Sequence, residues 1–375
     1  MNFDANHSFN RRSFLKTSAI VGVSWTQLFR NPLTETEIHR QQPLQRLNPS
    51  RELSIGLIGV SRNAGDIVNI VPDIPGIRLA AFAMAGREDL GGYQTLELKA
   101  MQAIHNMPRQ AHLYDSYREM LEKEQLDIVA CCLPGGLNAE ASIAAARRNC
   151  HVIAQNPLAT NVRTLAVLES VLDQTRVHLT TMLDPRLSSA IFAMRQAIEN
   201  GLIGEPVLAL AKPSFKSQTP STQDHQDVLG TTAWFECISY ATGLRTTQAS
   251  ALNSSSTRSK KNPSAILLRL SNGATGVVSL PDLNIPIDAS YGHDHFRIAG
   301  THGIVELIGG RVMLTTHSSP STELPLPPAR HVIESFVTFL RGQGSPFMTS
   351  EESIRLARVA LIARQAAREG RVILA

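Results

Sequence analysis

Short apolar runs recur along this chain with helix-compatible stretches between them, and that alternation constrains the fold most. Leu53–Val60, Arg78–Met84, Asp127–Leu133, the run from His151 to Ala154, and Val177–Met182 read as strands. Between them, Ala64–Val71, Tyr93–His105, Ala139–Arg148 and Val162–Gln174 have helical spacing, and residues 112–121 hold a short strand and a helical turn. Strands that alternate with helices imply right-handed crossovers and a parallel sheet. Covering both faces of such a sheet requires continuous apolar strands, as found here. After Pro185 the pattern changes. Leu187–Asn200 reads as a helix closed by Gly201, a residue suited to a helix end. Strands then gather at Pro206–Lys212, Ile266–Leu270, Gly276–Leu280, His295–Ile298, Ile304–Leu307 and Val312–Thr315, with a Ser271-Asn272-Gly273 turn between two of them. Helices return at His331–Arg341 and Glu351–Glu369. The expected fold class is α/β: a doubly wound Rossmann sheet over 51–183, then an α/β domain with a large, mostly antiparallel open sheet over 184–375.

The N-terminus has its own character. Asn10-Arg11-Arg12-Ser13-Phe14-Leu15-Lys16 precedes a short apolar stretch from Ala19 to Phe29. That stretch is too short to be an ordinary membrane span, and the pattern resembles a twin-arginine signal, the kind read by the route that exports folded proteins. Residues 1–30 are expected to be this signal and 31–50, with three prolines and no periodicity, a linker. The expected location is periplasmic or otherwise extracytoplasmic. No clean cleavage site follows, so the leader is expected to be able to stay attached and touch the membrane. Arg11, Arg12, Lys16 and Arg30 against Asp4 give the leader +3 of the total +4, leaving +1 for everything else. With aromatics at 5%, neither a basic face nor a base-stacking platform is available, and no nucleic-acid partner is expected. The four cysteines (131, 132, 150, 237) form no Cys-x-x-Cys and read as buried thiols.

The first strand leads into Gly59-Val60-Ser61-Arg62-Asn63-Ala64. A dinucleotide fingerprint reads Gly-x-Gly-x-x-Gly/Ala at this place. The first Gly and the final Ala are kept, while the middle Gly is Ser61, whose Cβ crowds a pyrophosphate and whose hydroxyl can hydrogen-bond to it. The second strand ends Phe82-Ala83-Met84 without the acid that holds ribose hydroxyls; Arg87 and Glu88 follow.

Several further segments are more specific. Asp127 to Pro134, then Asn138, an Ala-rich helix, and His151-Val152-Ile153-Ala154-Gln155-Asn156-Pro157 occur in that order. Asn200 to Val207, Phe296 to Gly303 and the closing Ala367 to Val372 follow. Together these resemble the glucose–fructose oxidoreductase/inositol dehydrogenase family, Gfo/Idh/MocA, over about residues 53–375. The resemblance implies a nicotinamide cofactor, NAD or NADP, between a Rossmann domain and an open-sheet domain. It also implies hydride exchange with a carbohydrate-like alcohol or ketone, and a homo-oligomer. It places Gly59, Ser61, Arg62, Ala64, Pro134, Asn138, Gln155 and Pro157 at the cofactor. Some exported members of the family carry twin-arginine leaders.

Departures from the family accumulate at the reacting centre. The family's Glu-Lys-Pro is Gln155-Asn156-Pro157, and Asn156 has no titratable group. On the second-domain helix, Ala233 stands where the family has His, and Glu236 where it has Asp. The His that often follows the fourth strand is Asn138. Residues 233, 236 and 240 share a helical face, so Glu236 and Tyr240 remain candidate catalytic groups, with Asn156 and with His225, which lies between Asp224 and Asp227. His293 and His295 alternate along a strand, but no fixed ligand spacing supports a metal. Changes at the lysine, the histidine, the middle glycine and the ribose acid together read as a site that has abandoned standard hydride chemistry, leaving a protein expected to bind a carbohydrate-like ligand or a partner subunit, with cofactor affinity weak or lost. The alternative is an active NAD(P)-dependent enzyme for a sugar or polyol, using Glu236, Tyr240 or His225.

Overall fold

The computed structural model describes residues 51–59, 62–84, 108, 110–133, 137–183, 186, 188–212, 232–253, 263–279, 295–328, 331–344 and 346–375. Its first sheet is built from β1 (Leu53–Ile58), β2 (Ile77–Ala83), β3 (His112–Tyr114), β4 (Ile128–Cys131), β5 (His151–Gln155) and β6 (Leu179–Met182). Spatial order is β3-β2-β1-β4-β5-β6 and every pairing is parallel. This is the Rossmann order, with its reversal between β1 and β4. Each residue of β1 and of β4 is buried, because helices cover both faces.

The first sheet's helices are α1 (Arg62–Ile70), α2 (Tyr117–Lys123), α3 (Leu137–Arg147) and α4 (Val162–Gln174). Ser116 caps α2 and Asn161 caps α4 through side-chain acceptors, which fixes where those helices begin. After the sheet come α5 (Ser189–Glu199), β7 (Pro206–Lys212), α6 (Thr232–Thr242), β8 (Thr246–Asn253), β9 (Pro263–Leu270), β10 (Thr275–Ser279), β11 (His295–Gly300), β12 (Gly303–Ile308), β13 (Arg311–Thr316), β14 (Ser319–Leu324), α7 (Val332–Leu340), α8 (Ser350–Glu369) and β15 (Ile373–Leu374). The second sheet runs β14-β13-β12-β11-β7-β10-β9-β8-β15 and is antiparallel except for the β7–β10 pair. Alternate residues such as Phe296 and Ile298 are fully buried against the helix layer, while their neighbours are half-exposed on the open face.

The two late helices come back to the first sheet. Val332, Ile333, Phe336, Val337 and Leu340 of α7 join Leu53, Leu57, Ile67, Val68 and Phe82 in one buried cluster, so α7 and α1 together cover that face. Arg341, just past α7, donates to the carbonyls of Pro75 and Gly76. Helix α8 lies between the sheets, packing on β6 and α4 on one side and β8, β9 and β15 on the other. Its start is set by a reciprocal capping box between Thr349 and Glu352 and its end by Gly370 at φ +63°.

Gly59 ends β1 at φ +85°, where a Cβ would lie 2.6 Å from Leu133 Cδ2 and 2.7 Å from the Cys132 carbonyl oxygen. Backbone conformation and close approach thus both demand glycine. Gly59→Ala is expected to cost about 2–4 kcal/mol in urea unfolding; an unchanged midpoint would contradict this packing.

A buried histidine pair lies under α7. The His178 backbone N–H donates to His151 Nδ1 at 2.9 Å, which requires that nitrogen to be unprotonated. His178 contacts Phe336 and Phe339, with ring centroids 5.6 and 4.8 Å away. Burial pushes both imidazoles from 6.5 down to about 4; His178 adds to the shift of His151, while Asp127, the Met348 carbonyl and Glu352 oppose it only in part. Below pH 6.5 the unfolded chain takes up protons that the folded chain refuses, so stability is full above 6.5 and falls as pH drops to 4. The loss is at most about 3 kcal/mol per imidazole. Urea midpoints between pH 7.5 and 4.5 are expected to fall less steeply for His178→Gln than for the parent; parallel profiles would exclude the pair as the cause.

Candidate functional site

Ligands of open α/β sheets bind beyond the carboxyl ends of the strands, where strand order reverses. Here that crevice opens between the ends of β1 and β4. Gly59 makes the tight turn out of β1, and Arg62 is the first residue of α1. Ala64 is wholly buried and packs α1 onto the sheet, the role of the small third residue of the fingerprint. Ser61, the side chain of Arg62, and Pro134 lie outside the described residues, as do Arg87, Glu88, His225, His293 and the 1–50 leader and linker.

Gln155 ends β5 and is followed by Asn156 and Pro157, all three half-buried, with a cis peptide bond between Asn156 and Pro157. Their loop is tied to the neighbouring one by Asn138. This side chain is wholly buried: its Oδ1 accepts the Leu133 N–H at 2.9 Å, and its Nδ2 donates to the carbonyls of Leu133 at 2.8 Å and Pro157 at 3.4 Å. Asn138 therefore shapes the loops after β4 and β5 from beneath, and its amide is committed to backbone. A histidine could not make the same three contacts from one position.

On α6, Ala233 is half-buried and packs against the main core, one turn before Glu236. Glu236 is buried and ion-paired with Arg186, which emerges just after β6. Burial raises the Glu236 carboxyl to about 7, with Arg186 pulling in the opposite direction. Arg186 is itself buried. Its second amino group lies 3.8 Å from Glu352 of α8, and its guanidinium sits 4.3 Å from the centre of the Tyr240 ring and 5.2 Å from that of Phe347. Tyr240 is stacked on a second guanidinium too, Arg195 at 4.4 Å, which also donates to the Tyr240 carbonyl at 3.1 Å. Glu236 and Tyr240 are thus brought together, as their spacing predicts, but around Arg186. The sequence reading missed this arginine, although its place just after a strand's carboxyl end was the same signal that singled out Asn156.

Among the described residues no group of three or more His, Cys, Asp or Glu could hold a metal, and His295 faces Glu306 at 3.4 Å. No described helix is long and apolar enough to cross a membrane. At the pyrophosphate end, the positive-φ Gly59 and the N-terminus of α1 are compatible with a dinucleotide and would hold its phosphates. At the ribose end, β2 finishes Phe82-Ala83, Met84 follows, and none of these offers a carboxylate.

Comparison with known proteins agrees with this geometry. Residues 94–182 match the model of the Gfo/Idh/MocA oxidoreductase family with NAD-binding Rossmann fold. Myo-inositol 2-dehydrogenase of Thermotoga maritima is 30% identical over 96 residues, which is 25% of this chain and 28% of that protein's length. A Thermotoga maritima protein described as an oxidoreductase superposes with a TM-score of 0.72 at 25% identity, over 86% of this chain and all of that one. An oxidoreductase from Agrobacterium radiobacter, in complex with NAD+, L-tartaric acid and magnesium, gives 0.71 at 18% identity, over 86% of this chain and 98% of that one. Residues 94–182 thus resemble the Gfo/Idh/MocA oxidoreductases, and the two-sheet architecture is similar to that of solved oxidoreductases.

Proposed function

We propose that this is an exported protein of the Gfo/Idh/MocA oxidoreductase fold that binds a sugar- or polyol-like ligand and has lost ordinary hydride turnover. The carrying observation is the state of the three positions nearest the expected chemistry. Asn156 and Ala233 cannot titrate, and the remaining acid on that helix face, Glu236, is buried in an ion pair with Arg186. Removing a general acid or base typically costs about 100- to 10,000-fold in rate, so two absent groups and one engaged group fit binding better than turnover. Support for the ligand class comes from the similar proteins: one is a myo-inositol 2-dehydrogenase and another is in complex with NAD+ and L-tartaric acid. A nicotinamide, when bound, supplies or accepts hydride. Gly59 and the first turn of α1 would hold its pyrophosphate, and the loop of Gln155, Asn156 and Pro157 would border its nicotinamide end. Asn156 can donate a hydrogen bond to a carbonyl oxygen there but cannot take an alcohol's proton. Weak cofactor affinity follows from Ser61 and from the acid missing after β2.

One observation favours the alternative reading. A carboxyl raised to about 7 by burial, as at Glu236, is matched to proton transfer near neutral pH. In that reading Glu236 exchanges a proton while Arg186 holds its orientation, and the enzyme oxidises a sugar or polyol with NAD or NADP.

Turnover of NAD+ and NADP+ with a panel of aldoses and inositols distinguishes the two. The parent is expected to bind a sugar or polyol by calorimetry and to show no measurable turnover, whereas Asn156→Lys with Ala233→His gains turnover. A parent that oxidises a polyol at an ordinary dehydrogenase rate, with no gain in the double variant, would defeat the proposal. The Arg11-Arg12 leader supports export, and a reporter fused after residue 50 is expected to leave the cytoplasm through the twin-arginine route. Arg11→Lys with Arg12→Lys should hold that reporter inside; unaltered export would remove the assignment.

A further inference from the structure

A second cavity lies away from the switch-point crevice, along the C-terminal half of α6 where it meets α8 and the start of β8. Its volume is about 170 Å³. That is room for about five waters at about 30 Å³ each, and well below the roughly 300–1,000 Å³ of sites for drug-sized ligands. No dinucleotide fits, but a group the size of phosphate or a short dicarboxylate does.

Three arginines line it, one from each of three elements: Arg195 from α5, Arg245 from the turn into β8, and Arg355 from α8. The acids that also line it, Glu236 and Glu352, are engaged elsewhere. Glu236 holds Arg186, while Glu352 accepts the Thr349 N–H at 2.8 Å in the capping box and lies 3.8 Å from Arg186. The arginines are less fully used. Arg195 gives Nε to the exposed Glu199 at 2.7 Å and Nη1 to the Tyr240 carbonyl, and Arg355 gives Nη1 to the exposed Glu351 at 3.2 Å. Such exposed i,i+4 pairs hold their arginines weakly. Arg245 has no side-chain ion pair among the described residues. Thr246, which also lines the cavity and is only 8% exposed, carries a hydroxyl with no partner. A buried hydroxyl without a partner costs free energy that an added acceptor or donor would recover.

Holding a lone helix end does not account for this arrangement. Arg195 alone meets a carbonyl of α6; Arg245 and Arg355 border the same small space from β8 and α8 and are open to solvent. Guanidinium forks match the paired oxygens of carboxylate and phosphate. We propose that this cavity is a binding site for a small oxyanion, a phosphate or short carboxylate group held by Arg195, Arg245 and Arg355, which joins α5, α6 and α8.

The test uses the full chain at pH 7.5, with sodium phosphate and sodium succinate compared against sodium chloride at matched ionic strength. Phosphate, succinate or both are expected to raise the melting temperature saturably, with binding measurable by calorimetry. Their relative affinities identify whether the group is phosphate or carboxylate. Arg245→Gln with Arg355→Gln is expected to weaken that binding by about tenfold or more. Arg245 is exposed, so the single Arg245→Gln carries the test if the double variant does not fold. Chloride producing the same rise, no saturable binding of either anion, or binding retained in the variants would each overturn the proposal. The last result would locate the anion elsewhere, for example at the start of α1.

Discussion

The buried guanidinium of Arg186 is the interaction on which the second half of the molecule depends. A charge taken out of water must be paired and hydrogen-bonded or it unfolds its surroundings. Arg186 meets most of that demand by gathering Glu236 from α6, Glu352 from α8, and the rings of Tyr240 and Phe347, while its Nε has no hydrogen-bond partner. It follows directly on β6, so the edge of the first sheet, the helix bearing the expected catalytic face and the long helix between the sheets meet at one side chain. The same capping box that starts α8 also aims Glu352 at it, so local helix chemistry and long-range packing are coupled through one carboxylate.

This arrangement recasts the helix face read from sequence. The spacing of 233, 236 and 240 places those residues together, and the structure has them together. What spacing could not reveal is what they look at. Glu236 and Tyr240 turn toward two arginines that lie 45 to 54 residues earlier in the chain, a relation that no local periodicity carries. Asn138 is a similar case. Its position in the chain suggests a ligand contact, but complete burial and three backbone hydrogen bonds make it a brace between loops.

The fold itself was largely legible. Strands buried on both faces declare themselves by unbroken apolar runs, and α4 and β7 have the limits their spacing predicts. Three strands gave no such signal. β14 is polar and exposed along nearly its whole length, being an edge strand with nothing to bury. β8 mixes Thr, Gln, Ala and Ser without alternation and is held by pairing to β9 on one side and β15 on the other. β15 has two residues and exists only because β8 offers it an edge. In each, tertiary pairing overrides weak local preference. The return of α7 to the first sheet was also beyond sequence pattern, since an amphipathic helix shows that it has a buried face but not whose surface it buries.

That return constrains the order in which the molecule can be made. The first sheet's strands leave the ribosome early, yet one of their faces waits for Phe336 and its neighbours, which are synthesised after every strand of the second sheet but β15. Until then Leu53, Leu57 and Phe82 face water or a chaperone. A nascent chain therefore cannot mature half by half, and a fragment ending before residue 332 keeps every strand of the Rossmann sheet while leaving one face only partly covered, by α1.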